Sequence, residues 1–273
     1  MVAPVLVRRT SHGVTLLGDP HRPGGVTLAF TERTGGCSTN EFSSLNLGLY
    51  CDDNEDDVLR NQQKALDAMG AGHLFDRLVN PVQVHGSDVV RIGRGGLSWE
   101  AARQVALKGA DAIVCNEPNV PVLLCYADCV PVVLVAPGAF AVVHSGWRGS
   151  LARIAGKALG VLTDAAQCQA SEVQAYVGPH IGAEDYQVSE DLASKFCKEF
   201  GNTVVVGKRN LDLAAAVGRA LVDEGLPEQA LTVVGESTTR NTDRFYSYRA
   251  EGGKCGRHGA LACILSSNVD QGH

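Results

Sequence analysis

Between residues 112 and 144 the chain places four apolar runs in close succession: Ala112–Cys115, Val122–Tyr126, Val132–Val135 and Phe140–His144. Each is too short for a stable helix and is bounded by Gly, Pro or polar residues, so each reads as a buried strand. Strands that follow one another with no helix between them are incompatible with the strict alternation of a doubly wound parallel fold. The expected class is α+β, with mixed central β-sheets covered by helices.

The rest of the chain fits that frame. Val26–Glu32 reads as a strand, followed by the Gly/Ser/Asn-rich loop RTGGCSTNEFSSLNLG. Asn54–Met69 reads as a helix with acids in its first turn and Gly70 at its end. Leu78–Ile92 reads as an extended, alternating stretch broken at His85-Gly86. A helix is expected over Ser150–Ala166, and a strand over Val173–Val177 that ends in GPHIG. Ser189–Phe200 and Asp212–Glu224 read as helices capped by Ser189 and Asp212, the second stopped by Gly225. Leu231–Val234 and Ala260–Leu265 are closing strands. With no linker, repeat or low-complexity tract, residues 1–273 are expected to form one domain.

Charge and composition exclude some functions. The net charge of −6 comes without a basic stripe, which argues against nucleic-acid binding. No apolar run reaches membrane-spanning length. The segment MVAPVLVRRTSHG puts its apolar residues before Arg8 and Arg9, the reverse of a secretory signal, so a cytoplasmic location is expected. Nine cysteines, an odd count without C-x-x-C, argue against a disulfide framework or a four-cysteine zinc knuckle.

Three segments combine an apolar strand with a polar residue at a Gly- or Pro-marked end: QVHG, YADCVP and AVVHSGWRG. Such ends are where a rigid scaffold presents ligands. His85, Cys129 and His144 would make a three-ligand set with a fourth position open, the catalytic zinc pattern. Spacing does not decide between this and core residues, because 44 and 15 positions separate them and only the fold can bring them together. His180 in GPHIG is a weaker fourth candidate. Gln83, two residues before His85, would share its side of a strand and could hydrogen-bond a substrate. Asp128 is a candidate proton carrier, or a partner for His85 or His144. Pro131 suggests that the strand ends beside it. Arg33, beside Gly35 and Gly36, and Arg148 in HSGWRG are candidates for holding phosphate, since guanidinium matches phosphate oxygens. Asn46 in SLNLG is either a substrate contact or a turn amide.

These motifs carry a resemblance. RTGGCS, SSLNLG, DDVLRNQ, QVHGSDV, GADAIV, YADCVPVVL, AVVHSGWRG, VGPHIG with Tyr186, and FYSYRAEGGKCGR appear in the order found in the YfiH-type family, also called laccase-domain or multicopper-polyphenol-oxidase-like proteins. The resemblance covers nearly the whole chain. It implies one zinc held by His85, Cys129 and His144, and activity as a purine nucleoside phosphorylase, with adenosine deaminase and methylthioadenosine phosphorylase activities. Substrates would be purine nucleosides and phosphate. Three positions depart from the family pattern: Ser145 in HSGWRG, Gln187 after Tyr186, and Ala250 after Arg249. The last two bear on substrate preference rather than on the metal.

Two other chemistries stand beside this one. Cys129 could act as a nucleophile with His144 as its base, for amide hydrolysis of peptidoglycan precursors. Copper-dependent phenol oxidation is the other. A multicopper oxidase needs about ten His, largely as H-x-H pairs, and this chain has eight and no such pair.

Overall fold

The computed structural model describes residues 3–266. In chain order it contains strands β1 (Val7–Ser11), β2 (Val14–Gly18) and β3 (Val26–Thr31), helix α1 (Glu55–Met69), β4 (Val89–Ile92), α2 (Trp99–Ala106), β5 (Ala112–Cys115), β6 (Val122–Tyr126), β7 (Val130–Ala136) and β8 (Ala139–Ser145). There follow α3 (Trp147–Leu151), α4 (Ile154–Ala166), β9 (Gln174–Val177), α5 (Glu190–Phe200), β10 (Val205–Val206), β11 (Asn210–Leu211), α6 (Leu213–Asp223), β12 (Leu231–Val233) and β13 (His258–Ile264).

A five-stranded antiparallel sheet has the order β1-β2-β3-β13-β6. A six-stranded sheet has the order β12-β9-β7-β8-β5-β4, with parallel pairs at both edges and antiparallel pairs between. The fold is therefore α+β, as the clustered strands require.

Side-chain alternation explains the layering. Along β7, Val130, Val132 and Leu134 enter a core shared with α4, α5 and α6, while Val133 and Val135 face the first sheet. In β8, Phe140 and Val142 point between the sheets. The outer face of the first sheet packs Leu16, Ala29 and Leu261 against Ala65, Leu66 and Met69 of α1. Each fully buried Leu there contributes about 1.5–3 kcal/mol over leaving it in water, which outweighs what the exposed charges of α1 supply.

Several boundaries differ from the sequence reading. Leu78–Ile92 is a strand only over Val89–Ile92, joined by an isolated Val79–Val122 bridge. His85 has φ 57°, so the alternation that would align it with Gln83 is broken. Pro131 does not end a strand; it is the second residue of β7, paired with His144, near a strand start where a missing N–H is tolerated. The expected Ser150–Ala166 helix is two helices, α3 and α4, divided where Arg153 adopts φ 58° and binds Glu199 and Asp223. The β1–β2 hairpin and α2 were absent from the sequence reading. The hairpin turns at His12-Gly13, and β1 is almost wholly exposed, so its apolar pattern is weak.

Candidate metal centre

The site lies where β6 ends, β7 begins and β8 ends. Tyr126 at the end of β6 and His144 near the end of β8 both point into the layer between the sheets, with ring centroids 5.5 Å apart. The Tyr126 hydroxyl donates to the Val143 carbonyl at 2.9 Å, tying the two strands together. The turn after β6 carries Asp128, at φ 84°, and Cys129. His85 arrives from the loop before β4. One donor atom from each of His85, Cys129 and His144 lies within 4.8 Å of the other two.

Asp111, fully buried just before β5, organises this cluster. Its carboxylate accepts from the backbone N–H groups of Val84 (3.2 Å), His85 (3.0 Å) and Gly86 (2.7 Å). It also lies 2.7 Å from Nδ1 of His144, which turns Nε2 toward Cys129 and His85. A carboxylate behind an imidazole is the arrangement that orients histidine ligands. The carboxylate behind the His144 ring is thus Asp111 rather than Asp128, and it meets His85 through the backbone N–H.

The electrostatics suit a cation. Burial alone would raise the Cys129 pKa, but the charge and hydrogen bond of His144, with help from His85, bring it down to about 6. Burial alone would lower that of His144; Cys129 and Asp111 raise it to about 9. The thiol is therefore readily a thiolate, the form that binds metals. Two imidazoles and a thiolate on separate chain segments fit a divalent ion of the zinc type.

A cavity of about 630 Å³ opens on these three residues. Among the sequence candidates, Gln83 and Asp128 line it. Both ends of the Gln83 amide are engaged at 2.7 Å by the backbone N–H and C=O of Cys125, so Gln83 holds the cavity wall as a strand neighbour would. Asp128 accepts from the Thr238 hydroxyl and the Arg249 N–H, each at 2.7 Å.

The other candidates lie elsewhere. Arg33, read as a phosphate candidate from its Gly-rich loop, is engaged by Glu251 and by the carbonyls of Ser43 and Thr242, stacks on Tyr246 and does not line the cavity. Arg148 is exposed over the Trp147 ring and does not line the cavity either. Asn46 is fully buried and binds Gly48, Asp53 and the Arg257 backbone, which makes it a structural amide. His180 is buried against the Gly178 carbonyl and lies outside the three-residue cluster. The sequence reading passed over Asp111, Tyr50, Tyr248, Arg249 and Arg257, although GADAIV and FYSYRAEGGKCGR contain four of them.

Comparison with known proteins adds the family. The model of the family described as multi-copper polyphenol oxidoreductase laccase matches residues 27–265. The chain belongs to this family. Relatives of the laccase-domain family include a purine nucleoside phosphorylase of Deinococcus radiodurans, 36% identical over 92% of this chain and 94% of its own length. The purine nucleoside phosphorylase YlmD of Bacillus subtilis is 31% identical over 85% of this chain and 86% of its own. The crystal structure of YlmD from Geobacillus stearothermophilus superposes with a TM-score of 0.84 at 28% identity, covering 96% of this chain and all of that one. A laccase-domain protein of this kind thus shares its fold with enzymes named for nucleoside phosphorolysis. No described helix is long and apolar enough to cross a membrane.

Proposed function

We propose that the chain is a zinc-dependent purine nucleoside phosphorylase that also deaminates adenosine and cleaves S-methyl-5′-thioadenosine. The observation that carries the reading is the convergence of His85, Cys129 and His144 on the wall of a cavity large enough for a nucleoside. The names of the family relatives support it. A zinc ion held by the three residues would supply Lewis acidity, and the donor set favours zinc over the copper of the family's description.

The chain's own groups do the rest. Tyr50, Trp147, Tyr186 and Tyr248 line the cavity and offer faces on which a purine can stack. In phosphorolysis a phosphate oxygen bonds to the anomeric carbon as the glycosidic C–N bond breaks. The electron pair stays with the base nitrogen, which takes a proton. Asp128 is the carboxylate among the cavity-lining residues and is the candidate carrier of that proton, and of those moved in deamination. Metal analysis together with product identification from adenosine and phosphate tests the reading. Adenine with ribose 1-phosphate marks phosphorolysis, and inosine marks deamination. A zinc-loaded protein that yields neither product refutes it.

The Cys129–His144 pair supports one other reading. A thiol drawn down to about 6 beside a raised imidazole also describes a nucleophile and its base, suited to amide hydrolysis of peptidoglycan precursors. A covalent thiol adduct formed with an amide substrate while the metal stays bound would favour that chemistry.

A further inference from the structure

We propose that Arg257, seconded by Arg249, is the site that receives the phosphate co-substrate. This deepens the phosphorylase reading and rests on it for the identity of the anion. The first argument is how the arginines are partnered. Arg8, Arg33, Arg153, Arg240 and Arg244 all engage carboxylates. The two arginines that line the cavity have no carboxylate partner among the described residues.

The second argument is the geometry of Arg257. Its Nη1 donates to the carbonyls of Cys255 at 2.6 Å and Gly256 at 2.8 Å. Nε and Nη2 meet no acceptor among the described residues, which leaves the side-on fork of the guanidinium free. That fork is the edge that grips two oxygens of a tetrahedral anion. The residue is also held from behind. Its N–H donates to Oδ1 of Asn46 at 2.8 Å, and the same oxygen accepts the Gly48 N–H at 3.0 Å. A Cβ on Gly48 would lie 2.7 Å from Cγ of Arg257, so the stem runs directly over that backbone. Its guanidinium carbon sits 5.8 Å from the Tyr248 ring centroid. A half-buried arginine with a fixed stem and a free fork has little entropy left to lose on binding an anion.

The third argument is the charge around it. Asp128 has both oxygens engaged, one of them by the Arg249 backbone. Cys51 and Cys125, beside Arg257, are kept as neutral thiols because burial pushes both upward, Cys125 to about 12. Arg249 and Arg257 thus share the cavity lining with a single carboxylate whose oxygens are both engaged, in a chain of net charge −6. Arg249 lies over the Tyr186 ring at 5.3 Å, near Cys129, which places a cation toward the metal end.

The test is calorimetric titration of the purified, metal-containing protein with inorganic phosphate alone, and separately with inosine alone. Arg257→Gln is expected to weaken phosphate by about tenfold or more, the cost of losing a charge-assisted bond, and Arg257→Lys to recover part of it. Arg249→Gln is expected to weaken phosphate by a smaller factor. Arg148→Gln leaves phosphate within about twofold, and all variants bind inosine within about twofold. Unchanged phosphate affinity in Arg257→Gln, or no phosphate binding by the wild type, overturns the proposal. Phosphate binding that depends on Arg257 in a protein that cleaves no purine nucleoside upholds the anion site and retires the phosphorylase reading. Phosphorolysis with phosphate affinity indifferent to Arg257 does the reverse.

Discussion

Nδ1 of His144 lies 2.7 Å from Oδ1 of Asp111, and three consecutive backbone N–H groups, from Val84 to Gly86, converge on the same carboxylate. A single buried side chain therefore fixes the ring of one candidate ligand and the backbone of another. Burial alone would raise the Asp111 pKa; the hydrogen bond and charge of His144, with the Gly86 and Val84 N–H groups, hold it below the usual carboxylate range.

Asp111→Asn keeps the size and removes the charge. The His144 ring loses its anionic partner, and metal affinity is expected to fall about 10–100-fold. Competition against a chromophoric chelator reads this directly. Equal affinity in variant and wild type would show that Asp111 holds the loop without tuning the ligand.

Gly146 separates the steric demand of the centre from its electrostatics. Its φ of −76° is open to any residue. An added Cβ, however, would stand 3.1 Å from Sγ of Cys129 and 3.1 Å from Cδ2 of His85. Gly146→Ala is expected to weaken the metal by about tenfold, because displacing a ligand by a few tenths of an ångström spoils the coordination geometry. The metal-free variant should stay within about 1 kcal/mol of wild type in urea unfolding. A variant that binds metal normally would mean that the ligands do not close on this side.

Cys129 should reveal itself by pH. Once the metal is removed by a chelator, its alkylation by iodoacetamide is expected to rise with an inflection near pH 6, where the thiolate forms. Cys115 and Cys125, pushed up to about 12 by burial, should stay unreactive throughout. Restoring zinc should suppress Cys129 labelling, measured by peptide mass spectrometry. Equal labelling with and without the metal would remove Cys129 from the ligand set.

Much of this was legible in the sequence, for identifiable reasons. The strands of the middle segment carry dense apolar runs, so β5 to β8 fall within a residue or two of expectation. The three donors sit at Gly- or Pro-marked ends, and the parity of β8 aims His144 between the sheets beside Tyr126. What stayed hidden depends on pairing across long sequence separations. Arg33 looked like a phosphate ligand beside its glycines, but Glu251, 218 positions away, claims it. Arg257 carried no signal of its own in the sequence, because Asn46, which holds its backbone, lies 211 positions away. Asp111 lay inside a recognised motif, yet its role appears only when β5 and β8 are paired.

His258 gives the fold an acid sensitivity that is separate from the metal. It opens β13, fully enclosed between the rings of Tyr126 and Phe245, and neither ring nitrogen makes a well-formed hydrogen bond. Burial, against a smaller opposing pull from the Pro179 carbonyl, lowers its pKa to about 3. An unfolded histidine titrates near 6.5. Between those values the unfolded chain binds a proton that the folded one refuses. The stabilisation is thus complete above pH 6.5 and is lost as pH falls toward 3, by about 1.4 kcal/mol per pH unit. Between pH 6.5 and 5.0, above the usual carboxylate range, His258 should account for about 2 kcal/mol of lost stability. His258→Phe keeps an aromatic ring in the slot and removes the titration. Urea unfolding at the two pH values should therefore show a decline smaller by about that amount in the variant. Parallel declines in variant and wild type would mean that the protonated ring is accommodated without unfolding.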